Sequence, residues 1–259
     1  MTIAHDNLLD ANTSRFHPFW RGHLFLFDRP QPPTYSSVAG LKLILIVIFL
    51  ELAARPLLGS AAASLHIAHR DWWTLLQLSL LTALALGLVA AFARLPLSQL
   101  GLYSWRRWSK TEKLYFLQIV PITIAVFSFF VSAELKAMCA RHDLFKIAVF
   151  LFLPKMIWGF YQEFLYRGLL QTELIRRWGV WKGLLAANLI FTFGPLHFYH
   201  FHLARAHPSH LWIFADIFSI GLFFALVFHR SGNLWIVAIL HGLGDWFIDG
   251  LADIPRLLH

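Results

Sequence analysis

Apolar stretches of roughly 20 residues, the length at which an α-helix crosses the hydrocarbon layer of a bilayer, recur from Val38 to the end of this 259-residue chain. Lipid offers no water to backbone N–H and C=O groups, so a chain built this way satisfies them within helices. Hydrophobic residues make up 58% of the sequence and charged ones 14%, against about 25% charged in an ordinary soluble domain. The expectation is an all-α, polytopic transmembrane bundle of about seven spanning helices, near 38–58, 72–93, 113–132, 147–170, 182–200, 211–229 and 233–252.

Residues 1–37 carry Asp6, Asp10, Arg15, Arg21, Asp28 and Arg29 without a long apolar run, so no cleavable signal peptide is expected. Phe16 to Phe27 has the aromatic and basic mixture of an interfacial segment, and Pro30, Pro32 and Pro33 read as a stiff linker into the first helix. The chain thus divides into a cytoplasmic or interfacial segment, 1–37, and a single transmembrane domain, 38–259. On that division Arg94, Arg106, Arg107, Lys110, Arg176, Arg177, Lys182 and Arg230 all share the side of the N-terminus. The positive-inside rule then places the N-terminus in the cytoplasm of a multi-pass integral membrane protein. The same rule accounts for the net charge of +8, and no basic run interleaved with aromatics points to nucleic acid. The single Cys139 excludes an intramolecular disulfide.

Ionisable groups at membrane depth are costly and mark functional sites. The fourth apolar segment contains Gln162-Glu163-Phe164-Leu165-Tyr166-Arg167. Glu163 and Arg167 stand one helical turn apart, the spacing of an ion pair on one face. Gln162 is rotated by about 100° from Glu163 and so faces elsewhere. Two further four-residue steps follow, Phe193 with His197 and His241 with Asp245. If the fourth and fifth helices turn near Gly179, Gln162 and His197 both lie about 26 Å from the turn at ~1.5 Å per residue. The seventh helix, starting at Asn233, then brings His241 and Asp245 toward the same region.

These residues admit other readings. Glu163 with Arg167, like Glu51 with Arg55, could be a purely structural pair. His200, His202, His207 and His210 span a helix end and a loop, and no His-Glu-x-x-His occurs, so no metal is assigned. Gly242-Leu243-Gly244-Asp245 has the Gly-x-Gly-Asp form seen in presenilin-like aspartyl proteases, with Asp216 in the sixth apolar segment as a conceivable second carboxylate. Asp216 follows Ala215 rather than Tyr, and no Pro-Ala-Leu follows.

The order of motifs resembles the CPBP (Abi) family of CAAX-prenyl proteases and bacteriocin-processing enzymes, which are intramembrane glutamic proteases. That family shows Glu-Glu-x-x-x-Arg, Phe-x-x-x-His and His-x-x-x-Asn or Asp on successive helices. Here the corresponding residues are Gln162-Glu163 with Arg167, Phe193 with His197, and His241 with Asp245. Gly168-Leu169-Leu170-Gln171 continues the first motif in the family manner, and the resemblance covers about residues 145–250.

The resemblance implies that positions 162 and 197 activate a water, that His241 and Asp245 support the oxyanion, and that Glu163, Arg167 and Phe193 support the site. It implies no metal or organic cofactor, and a membrane-tethered or lipidated peptide as substrate. One departure bears directly on the chemistry. Gln162 keeps the shape of the family's first Glu but cannot accept a proton as a general base. The expected function is therefore intramembrane endopeptidase activity, with a silent, peptide-binding, scaffold or immunity role as the alternative.

Overall fold

The computed structural model describes residues 34–64, 70–140 and 143–251. The expected interfacial segment and proline linker, within 1–33, lie outside the described residues. Among the described residues the chain is helical without strands. Helix α1 (37–64) is capped by Ser36, whose side chain accepts the Ala39 N–H, and contains a π-turn at Leu50–Ala54. Helix α2 (70–93) leads through short 3₁₀ turns to α3 (Lys110–Phe130) and the short α4 (Ser132–Cys139). Helix α5 (Leu144–Trp178) is followed by α6 (Val180–Phe193), α7 (Phe198–Ala206), α8 (Trp212–Ser231) and α9 (234–250).

Five stretches are long and apolar enough to cross a membrane: Ser37–Ala61, Trp72–Ala93, Glu112–Phe130, Leu144–Trp178 and Pro208–Ser231. Apolar side chains on their outer faces are open, including Leu117, Ile122, Phe129 and Phe130 on α3. Lipid covers such faces at little cost, since its tails are as apolar as the side chains. The other two expected spans differ. The seventh is helical over nearly the expected range, from Leu234 to Gly250 among the described residues. The fifth, expected to run unbroken over 182–200, stops at Phe193. Gly194 is extended, Pro195 opens a 3₁₀ turn, and His197 ends it. Proline lacks the N–H that would continue the ladder and drives the residue before it out of the α conformation.

Two glycine contacts set how the helices that carry the motifs meet. Gly179, at φ +80°, turns α5 back into α6, and Gly183 sits against the backbone of Leu174 and Ile175. Further along, α5 and α9 cross at Gly159 and Gly242. A Cβ on Gly159 would stand 2.5 Å from the Gly242 amide nitrogen, and one on Gly242 would stand 2.9 Å from Met156 Cα. Small residues at such a crossing let two backbones approach within packing distance in lipid. The start of α9 is fixed separately. Asn233 caps it by accepting the Trp235 N–H at 3.1 Å and donates from Nδ2 to Glu112 Oε1 at 3.1 Å. Glu112 in turn closes the capping box of α3 with Ser109.

The crossing yields a test. Gly159→Ala should destabilise the detergent-solubilised protein by about 1–3 kcal/mol, the usual cost of overpacking. Gly87→Ala, where a Cβ meets nothing within 4 Å, should instead stabilise it by roughly 0.5–1 kcal/mol as glycine leaves a helix interior. Thermal melts of the two variants decide it, and shifts of the same sign and size would count against the crossing.

Candidate active site

The crossing of α5 with α9 places Glu163, at zero exposure, directly against His241. Glu163 Oε1 lies 2.7 Å from His241 Nδ1, which donates to it. The other carboxylate oxygen lies 3.3 Å from Arg167 Nε. Arg167, 1% exposed, donates from Nη2 to the Gly221 carbonyl at 2.9 Å. Its guanidinium stands 4.2 Å over the Phe191 ring. Gly221 is needed there, because a Cβ would meet Asn188, Phe191 and Arg167 at once. This deeply buried carboxylate and guanidinium are held by each other, by the His241 and Gly221 hydrogen bonds and by the Phe191 ring.

His241 is fixed on both sides. Its ring stacks on Phe224 at 5.1 Å with planes 23° apart. Its Nε2 lies 3.6 Å from Asp245 Oδ1, one turn further along α9. A carboxylate therefore faces each ring nitrogen, and the imidazolium is the form in which both can donate. Beyond Asp245, Asp249 pairs with Lys155 at 3.4 Å.

The break after Phe193 positions His197. Its Nδ1 lies 2.7 Å from the Phe191 carbonyl oxygen. A carbonyl only accepts, so Nδ1 carries the proton and the neutral ring keeps a free lone pair on Nε2. Phe191 is the common wall of the site. It meets His197 edge-to-face at 5.0 Å, His241 at 6.3 Å and Tyr166 at 5.1 Å. Backbone irregularity at membrane depth is tolerated where it is buried in protein or lines a cavity. The Gly194-Pro195 break is of that kind.

The residues singled out from sequence fall into two groups. Glu163, Arg167, His241 and Asp245 form one connected cluster, and His197 joins it through Phe191. Gln162 is buried at 3% exposure beside Glu163, and its amide makes no hydrogen bond among the described residues. Phe193 stands apart: it is 44% exposed and packs on Phe214 at 5.4 Å. The four-residue step from Phe193 to His197 assumes an unbroken helix, and Gly194 removes it. Phe191 was missed, although the Gly-Pro pair signalled that the step would fail. The Glu163–His241 contact was also missed, and Gly159 with Gly242 was its signal. Asp216 lies exposed on α8, while Asp245 is engaged with His241. His200 and His210 pair at 3.3 Å, and no third ligand joins them among the described residues.

These helices define an all-α, multi-pass membrane protein whose polar cluster lies within the bundle. Residues 144–247 match the family model described as Type II CAAX prenyl endopeptidase Rce1-like. The matched stretch runs from the start of α5 into α9 and contains every residue of the three motifs. It supports, for these residues, membership of the CPBP (CAAX protease) family that the motifs resemble. No curated protein and no solved structure matches the chain.

The buried pair can be tested without substrate. Arg167→Met should lower stability by about 3–5 kcal/mol, because it leaves the Glu163 charge without its cation. Adding Glu163→Gln should recover much of that loss. A double variant as unstable as the single one would show that the uncompensated charge is not the source.

Proposed function

We propose that this protein is an intramembrane endopeptidase that hydrolyses a peptide bond in a membrane-tethered or lipidated substrate, with its N-terminus in the cytoplasm. The observation that carries this reading is the gathering of His197, His241, Asp245 and the Glu163–Arg167 pair around Phe191, with Gln162 buried alongside. Hydrolysis needs a water held and deprotonated, and donors where negative charge develops on the carbonyl oxygen. His197 Nε2 supplies a lone pair for the proton. Gln162 can hold the water through its amide but cannot take its proton. His241 in its protonated form is oriented by its Nδ1–H bond to Glu163 and keeps Nε2–H for an oxyanion, because Asp245 at 3.6 Å from Nε2 is beyond hydrogen-bond distance and acts through its charge.

A second reading rests on Gln162 itself. With an amide where the family carries its first Glu, the same site would bind a membrane peptide without cutting it. The two readings separate by N-terminal peptide profiling of membranes expressing the chain as written, Gln162→Glu, and each form combined with His197→Ala. Cleavage is expected from Gln162→Glu and should vanish when His197→Ala is added. The chain as written should be slower by about 10²–10⁴-fold, the usual worth of a general base. No new termini from any form, each accumulating folded in the membrane, would establish the binding reading instead.

A further inference from the structure

The last turns of α5 carry a charged cluster that the candidate active site does not use. Glu173, at zero exposure, is held by two guanidiniums of its own helix. Arg176 grips it with two bonds, Nε to Oε2 and Nη2 to Oε1, each at 2.7 Å. Arg177 reaches the same carboxylate from Nε alone. Opposite them, Gly40 near the start of α1 lies against the carboxylate and leaves no room for a Cβ. Arg176 also stands over the Tyr35 ring at 5.3 Å. Glu173 thus joins the end of α5 to the start of α1.

One guanidinium would be enough for that joint. Arg176 already meets both carboxylate oxygens as a fork, so Arg177 adds a positive charge beyond the acid it touches. Its side chain is 34% exposed, and its terminal amino groups meet no acceptor among the described residues. The other acid at this end of the bundle among the described residues is Glu112. It is buried and engaged by Ser109, Tyr103 and Asn233. The surplus therefore has no internal counterion.

The turn at Gly179, φ +80°, sets more of the same chemistry beside Arg177. Lys182, in the first turn of α6, is exposed. Trp178 and Trp181, on either side of the turn, are open at 54% and 68%. The apolar α5 span ends at Trp178 itself, the level at which indole rings lie among lipid headgroups.

We propose that the α5–α6 turn binds the phosphate of an anionic phospholipid headgroup, with Arg177 and Lys182 as its cationic contacts. Trp178 and Trp181 lie among the neighbouring headgroups. A planar guanidinium with both amino groups free meets two phosphate oxygens at once. The indoles commit the site to lipid rather than to a soluble anion, because each needs an interface with one apolar and one wet side. The turn is also on the side read above as cytoplasmic, where anionic lipids concentrate. Binding there has a structural effect: the single negative charge of a phosphodiester balances the surplus that Arg177 leaves at the joint of α1 and α5.

The test reads lipid binding and thermal stability of the full chain, and turnover plays no part in it. Detergent-solubilised protein is titrated with dioctanoyl phosphatidylglycerol, dioctanoyl phosphatidylcholine or inorganic phosphate. Native mass spectrometry counts bound lipid, and thermal melts give Tm. Phosphatidylglycerol should bind about ten- to thirtyfold more tightly than phosphatidylcholine and should raise Tm. Arg177→Gln should remove most of that preference and still fold, because Arg176 keeps Glu173 paired. Lys110→Gln, which deletes an exposed charge at the start of α3, should leave the preference unchanged. Equal binding of the two lipids to the unmutated chain overturns the proposal, and that comparison needs no variant. A preference that survives in Arg177→Gln overturns it as well. An equal loss from Lys110→Gln would trace the preference to the diffuse field of the whole surface and also overturn it. A Tm rise with inorganic phosphate matching that with phosphatidylglycerol would assign Arg177 to a soluble anion and overturn the lipid assignment.

Discussion

The buried contact of Glu163 with Arg167 and His241 dictates most of what surrounds it. A carboxylate at zero exposure within apolar helices is tolerable only when its charge and lone pairs are met. Meeting them requires α5 and α9 in near-backbone contact, which Gly159 and Gly242 allow. It also requires space beside α8 for the guanidinium, which Gly221 leaves, and an aromatic face beneath it, which Phe191 provides. The glycines are therefore part of the electrostatics. Each permits an approach without which a charge would be stranded.

Regular helix accounts for the bundle, and departures from it account for the site. The π-stretch Phe164–Gln171 begins directly after Glu163. The Gly194-Pro195 break carries His197. In a regular helix the Phe191 carbonyl would look for the N–H of residue 195, and Pro195 has none. The proline thus leaves that carbonyl free to hold the imidazole, so one residue both turns the chain and selects the tautomer.

The sequence made the class legible because apolar length and sparse charge admit few structures. It also showed which residues gather, since costly groups at matched depth have little reason to occur singly. Partners across helices were harder to read. The pairing of Glu163 with His241 depends on the rotation of α9 about its axis, and only the facing glycines encode that. Phe193 was singled out because a four-residue step is a helical statement, and the chain is not helical at Gly194. Glu51 and Arg55 looked self-contained, since an i, i+4 pair needs no third element to explain it. Their tie to Tyr161, whose hydroxyl donates to Glu51 at 3.2 Å, becomes visible only once α1 lies against α5. The fifth expected span was read as unbroken, because its apolar character continues past the Gly194-Pro195 break.

Gln162 carries a consequence for stability as well as chemistry. As the chain stands, Glu163 and Arg167 balance, and Glu51 and Arg55 balance. Asp245 faces His241 and is left as the site's other carboxylate. A Glu at 162 would put a further negative charge beside Glu163, in a position where no hydrogen bond from the described residues awaits it. Such a charge is expensive in a dry bundle. The same expense means that an amide relaxes the fold at the point where it removes the chemistry, the usual opposition between stability and a strained active site. A bundle carrying Gln162 can therefore keep every other element of the site in place. The intact arrangement of His197, His241 and Asp245 around a missing base is what that trade would leave behind.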